Sequence, residues 1–236
     1  MSNSDYRDGI EDDCNGTLLE ILEEIAPKIP GAVTQYIQKE LVYSVREYFR
    51  LSQSWLEYLR LPALNQNMMP YNVNPVDNSN SKVYAILGLT RNGLPLHRGA
   101  VNTVTTQFGA RFDGSITKNS SPRAYYCNPP TTIYFLSNIP DDVEVDNLIA
   151  QVSLVPLTTN LSNMSMPEWI IEQNREGIIA TAMSRMYREI NKPYTSKTDA
   201  EYYGRLSRYY IAQAKVMAQK NYGNGEHQWM FPRATR

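Results

Sequence analysis

Val33, Ile37, Leu41, Val45, Tyr48, Ser52 and Trp55 step along this chain by four, four, four, three, four and three residues. One face of an α-helix repeats at that spacing, so the run predicts a helix of about six turns, from Ala32 to just before Pro62. A helix with one apolar face is marginal in water until another element covers that face. The rest of the chain has to supply the cover.

Three more segments carry helical periodicity. "TLLE" offers Thr17 as an N-cap with Glu20 three residues on, a reciprocal capping pair. The short helix it opens should stop near "APKIPG", where Pro27 and Pro30 remove donors and clash with the preceding turn. Far down the chain, "SMPEW" repeats the capping logic with Ser165, Pro167 and Glu168, and Ile171, Ile178, Ala182, Met186 and Ile190 follow at helical spacing. "NKPY" breaks that helix. A last one starts at Ser196, with Ala200, Tyr203, Leu206, Tyr210, Ala214 and Met217 as its stripe, and ends at Gly223 and Gly225.

Residues 63–163 between these blocks are of another character. Asn, Pro, Gly, Thr and Ser punctuate short β-prone runs, among them "KVYAILGL", "TTIYFLS" and "LIAQVSLVPL". Asn92-Gly93 and Asp113-Gly114 are type I′ hairpin signals. Leu148, Ala150, Val152 and Leu154 form one apolar face, as a strand covered on one side requires.

The fold class is therefore α+β. The economical arrangement packs two N-terminal helices (17–62) against two C-terminal ones (164–222) as a four-helix bundle, with a small antiparallel β-sandwich or barrel inserted as residues 63–163. Ile37, Leu41, Val45, Trp55, Ile178, Leu206 and Tyr210 are its expected core. Residues 1–16 read as a flexible acidic lead, and residues 223–236 as an extended tail.

Charge and chemistry narrow the function. The net charge is −1, but residues 1–60 sum to −5 and residues 185–236 to +6. That asymmetry suggests an object with an acidic face and a basic face. Cys14 and Cys127 are the only cysteines, which excludes a disulfide scaffold and a cysteine zinc module and suits synthesis in a reducing cytoplasm. The acidic N-terminus does not resemble a signal peptide, and no stretch has the length of a membrane span.

His97 and His227 stand alone, without a carboxylate or cysteine at metal-ligand spacing. Asp141, Asp142, Glu144 and Asp146 lack the glycine and spacing of a calcium loop and read as a solvated acidic loop. "GLTRNG" opens no helix and is a turn rather than a phosphate cradle. No catalytic residue, metal or cofactor is expected, and the chain does not read as an enzyme. The 17 tyrosines are unusual, with Tyr202-Tyr203 and Tyr209-Tyr210 placed so that one of each pair turns outward on a helix.

Three ordered segments carry a family resemblance. "LEILEEIAPKIPGAVTQYIQKELVYSVREYFRLSQSWLEYL" has a short helix, a Pro-x-x-Pro-Gly turn and a long helix bearing Phe49, Ser52 and Trp55. "MPEWIIEQNREGIIATAMSRMYREINKPY" has a Pro-x-Trp opening, a glycine ahead of its packing face and a Lys-Pro-aromatic break. "DAEYYGRLSRYYIAQAKVMA" supplies a closing helix. Together they resemble tailed-phage head-to-tail adaptor proteins, although a Cys often stands where Phe49 does and a Trp where Tyr194 does.

The resemblance implies a structural virion protein. Such a protein forms a ring, dodecameric in the family, beneath the portal at one capsid vertex. It extends the channel through which double-stranded DNA passes, with weak nonspecific contact, and offers a docking surface to the tail nozzle or tube. The C-terminal segment grips the portal, which here assigns His227, Trp229, Met230, Phe231, Arg233 and Arg236 to that contact. The alternative reading is a binding module whose β part recognises a peptide or carbohydrate on a helical scaffold.

Overall fold

A computed structural model describes residues 15–61, 71–73, 81–98, 124–127, 131–135, 148–157, 161, 164 and 166–222. Within them the fold is α+β, with five α-helices. The first, α1 (Asn15–Ile25), leads through a 3-10 turn at Ala26–Lys28 into α2 (Thr34–Ser52). Thr17 lies inside α1 and does not cap it. Its buried hydroxyl donates instead to Glu168 Oε1 at 2.7 Å, across 151 residues of sequence.

Helix α2 is shorter than its apolar stripe predicts. Ile37, Leu41, Val45, Tyr48 and Ser52 are buried along it, but Gln53 takes a left-handed conformation (φ 54°) and ends the helix. Trp55 is buried just beyond, its carbonyl accepting the Leu154 N–H at 2.9 Å. Residues Leu56–Arg60 then form β1, a strand where helix was expected. Trp55 continues the helical spacing by coincidence, since the same three-residue step from Ser52, the last residue of α2, also leads into a strand.

Strand β1 pairs with β8 (Leu148–Pro156), which pairs in turn with β3 (Ser81–Arg91), and β3 with the short β4 (Leu94–Pro95), all antiparallel. Asn92 and Gly93 both have positive φ between β3 and β4, the type I′ turn that their sequence announces. Asp113-Gly114 lies outside the described residues. A second sheet has the order β2 (Tyr71–Asn72), β7 (Thr132–Phe135), β6 (Ala124–Cys127), β5 (His97–Arg98). Its β5–β6 pair is parallel, a departure from the wholly antiparallel expectation. Arg98 Nη1 donates to the Ile86 carbonyl at 2.9 Å and ties this sheet to β3.

Strand β8 begins with alternating burial and ends buried on both faces, through Val152, Ser153, Leu154 and Val155. The reason is α2, which lies against it. Apolar residues of both sheets and of the helices belong to one core cluster, which holds Trp55 and Ile178 together.

The C-terminal block opens with α3 (Glu168–Gln173) and α4 (Arg175–Tyr187), two helices where one was expected. Ser165 lies outside the described residues. Asn174 makes the break, with φ −111° and ψ 10°. Ile171, Ile178, Ala182 and Met186 are buried as their spacing requires, whereas Ile190, past the end of α4, is 79% exposed. The last helix is α5 (Lys197–Tyr222). Helix α4 packs on α2 and α5, and α1 packs on α2, α3 and α4, so elements from the two ends of the chain close on each other.

The tightest point of that closure is Gly177. A Cβ there would lie 2.3 Å from Cε2 of Tyr48 and within 2.8 Å of its hydroxyl oxygen. Tyr48 is fully buried and held by its hydrogen bond to Asn174. Gly177→Ala should therefore lower stability by about 1–3 kcal/mol, the usual cost of overpacking, even though alanine favours a helix by up to about 1 kcal/mol. Gly16→Ala, which meets open space, should leave stability unchanged or raise it. Denaturant midpoints of the two variants check this. Equal midpoints would mean that Tyr48 yields.

Candidate interaction surface

Small residues set how α5 lies on α4. Thr181 and Ser184 of α4 face Ala200, Gly204 and Ser207 of α5, and all five are buried. Thr181 Oγ1 donates to the Gly177 carbonyl at 2.7 Å and accepts from Ser207 Oγ at 2.7 Å, while Ser184 Oγ donates to the Ala200 carbonyl at 3.3 Å. Side chains this short let two helix backbones approach closely, and the hydroxyls find partners that a buried polar group requires.

This contact rotates α5 away from the expected stripe. Its buried line runs through Ala200, Gly204, Ser207 and Ala218, so Leu206 and Tyr210 are half-buried rather than central, and Met217 is 49% exposed. The other expected core residues, Ile37, Leu41, Val45, Trp55 and Ile178, are buried. Ala200, Gly204 and Ser207 step by four and three in the sequence. That spacing was the available signal, masked by larger neighbours.

Rotation also decides what α5 shows to solvent. Tyr202, Tyr209 and Val216 are exposed at successive spacings of seven, which drift only about 20° per step around a helix. Tyr203 and Tyr210 pack inward against the core. Arg205, Arg208, Lys215 and Lys220 are exposed on the same helix, and none forms an ion pair with a described residue. The result is an uncovered helix face that combines apolar area, phenols and positive charge.

A groove of about 450 Å³ runs beside this face, between α3, the start of α4, the last turns of α5 and the start of β1. Tyr48, Asn174 and Gly177 line it together with Trp169, Tyr210 and Met217. Burial pushes the Tyr48 phenol far above its usual range, so it stays a neutral donor, bonded to Asn174 Oδ1 at 3.0 Å. Trp169 is 59% exposed, although indole is among the side chains that gain most from burial. Within α3, Ile170 and Ile171 are buried while Trp169 faces outward with Glu172 and Gln173, so a Trp off the buried side was the sequence signal for this groove.

The acidic face expected of the N-terminal third is partly spent inside the subunit. Arg175 pairs with Glu20 and Glu24 of α1 at 3.2 and 3.3 Å, and Arg185 pairs with Glu40 and Glu47 of α2 at 3.0 and 2.8 Å. The hydrogen bond from Lys28, with further help from Arg175, holds the Glu24 carboxyl below its ordinary range.

His97 is exposed on β5, while His227, Trp229, Met230, Phe231, Arg233, Arg236 and the Asp141–Asp146 loop lie outside the described residues. No cluster of His, Cys, Asp and Glu among the described residues could hold a metal ion, and no described helix is long and apolar enough to cross a membrane. Cys127 is half-buried, and burial raises its thiol pKa, which keeps it protonated.

Arg185 also sits over the Tyr43 ring at 5.8 Å, so charge and packing can be separated by mutation. Arg185→Met should lower stability by about 1–2 kcal/mol, since two pairs of roughly 0.2–1 kcal/mol each are lost and Glu40, with a side chain only 13% exposed, is left without its partner. The loss should shrink as salt rises, because exposed charges are screened. Denaturation at low and high salt reads this, and a loss independent of salt would assign the contribution to the ring contact.

Compared with known proteins, the chain matches no protein-family model and no curated protein.

Proposed function

We propose that this chain is a structural virion protein, an adaptor ring subunit between the portal and the tail of a tailed phage. The observation that carries the reading is the uncovered face of α5, with Tyr202, Tyr209 and Val216 exposed at heptad spacing on a well-packed helix. Tyrosine is favoured at protein interfaces because it brings large area with little rotamer entropy. A ring subunit needs such a surface on its own fold, to be covered only by a neighbour.

In this reading α1, α2, α4 and α5 act as a four-helix bundle and the two sheets as an inserted sandwich. The bundle packs side by side with its neighbours. The β part offers the downstream surface to the tail nozzle or tube. The C-terminal segment, with His227, Trp229, Met230, Phe231, Arg233 and Arg236, binds the portal, whose symmetry the ring copies as a dodecamer. Double-stranded DNA passes through the channel with weak nonspecific contact, because tight phosphate binding would hinder passage. The role is mechanical and requires no catalysis, metal or cofactor. Its place is the virion, at the junction of capsid vertex and tail.

Mixed with its cognate portal, the protein should assemble into rings visible by electron microscopy, while remaining small alone. Deleting Gly225–Arg236 should leave the protein folded, because these residues follow the end of α5 at Tyr222, and should abolish stable attachment. Aromatic anchors often contribute about 2 kcal/mol or more each, and many copies around a ring make the attachment effectively permanent. A truncated protein that still forms rings on the portal would move the anchor to the helical faces. A full chain that stays small with the portal would favour a monomeric binding module.

A further inference from the structure

We infer that the groove beside Trp169 is the seat of the chain's own C-terminal segment, residues 223–236, in the free subunit. The inference goes beyond the adaptor reading and does not depend on it. Its first support is position. Tyr210, Gln213, Ala214, Met217 and Ala218 of α5 form one wall of the groove, and α5 ends at Tyr222. The helix that forms this wall therefore ends four residues, about one turn, beyond it.

Length supports the same occupant. Met217 lies five residues before the end of α5, about 7–8 Å back along the axis. Trp229 lies seven residues beyond that end, within about 20–25 Å of extended chain. A reversal is the only requirement, and the first residues after the helix are Gly223, Asn224 and Gly225. Glycine and asparagine are the residues that take the left-handed conformation by which a chain turns away from a helix end.

The chemistry also matches. The segment has no large apolar residue before Trp229, then Trp229, Met230 and Phe231 in succession. The groove has room for such groups, exposed apolar walls in Trp169 and Met217, and polar atoms of the exposed Gln173 and Gln213 to meet an indole N–H or main chain. Arg233 and Arg236 complement Glu176 at the groove and the exposed Glu172 nearby on α3. Tethering makes the local concentration of the segment high, on the order of millimolar for a short flexible link, so a weak site suffices.

The test uses the protein without any portal, so its failure leaves the adaptor reading to its own ring assay. A fluorescein-labelled peptide of residues 223–236 is titrated with protein lacking Gly225–Arg236 and with the full chain, and anisotropy is read. The truncated protein should bind saturably, and the full chain at least tenfold more weakly because its own segment fills the groove. Trp169→Ala and Met217→Glu, both at exposed positions, should each weaken binding to the truncated protein at least tenfold with an unchanged thermal midpoint. Absence of saturable binding, equal binding by the full chain, or indifference to both substitutions would overturn the proposal. So would a full chain that dimerises with concentration and loses this on truncation, since the segment would then seat in a second copy.

Discussion

The ring of Tyr48 occupies the space that any side chain at position 177 would need. Helices α2 and α4 come from opposite ends of the sequence, and this contact is where their approach is closest to forbidden. The same tyrosine donates to Asn174, whose Nδ2 donates in turn to the Ile170 carbonyl at 2.8 Å and whose Oδ1 also accepts from Ser54 Oγ at 3.4 Å. Four features therefore share one buried node: the end of α3, the start of α4, the face of α2 and the link into β1. A polar group buried without partners costs about 1–3 kcal/mol, so the node specifies its geometry as well as filling space. The sheets depend on it too, because β1 leaves from Ser54 and Trp55 to pair with β8, and β8 lies under α2.

Periodicity exposed much of this architecture before any coordinates. The helices at both ends, the β-prone middle and the Asn92-Gly93 turn are local features, each set by spacing or by one residue's backbone preference. What stayed hidden was decided by contacts between distant residues. Helix α2 stops at Ser52 because Trp55 bonds to Leu154 of β8, although the stripe of α2 runs on. Thr17 looks like a cap, yet Glu168 is its partner. The turn at Asn174 has no proline or glycine to announce it; its cause is the hydrogen-bonding demand of Tyr48 and Ser54. In α5 the expected stripe was right at Ala200 but ran on through Leu206, Tyr210 and Met217, whereas closest approach selects the small Gly204 and Ser207. The tail that carries the proposed portal contact lies outside the described residues, and for it the sequence alone speaks.

Charge distribution illustrates the same limit. Summed along the chain, the N-terminal third is acidic and the C-terminal part basic, and two complementary faces look available for assembly. In the fold, Glu20, Glu24, Glu40 and Glu47 already meet Arg175 and Arg185. Partly exposed pairs of this kind contribute little individually, but they engage four of the eleven carboxylates of residues 1–60 within the subunit. A seam between subunits would then rest more on the tyrosine and valine area of α5 than on opposed charge, with Arg205, Arg208, Lys215 and Lys220 left to set the local potential.

That potential bears on how the proposed ring and the proposed groove occupant fit together. A ring subunit that exposed both α5 and an aromatic tail would meet its copies before it met the portal. Seating Trp229 and Phe231 beside Trp169 covers apolar area on the groove side of α5 while the outer tyrosines remain free. Because the segment and the groove are linked through α5 itself, withdrawing the segment bares Met217 and Trp169 next to the outer face. Release at the portal would therefore enlarge the uncovered surface at the moment neighbouring subunits arrive. Covering an internal groove with a detachable segment couples attachment to lateral packing through mass action alone, with no change of fold, and its strength is limited only by the difference in affinity of the segment for the two sites.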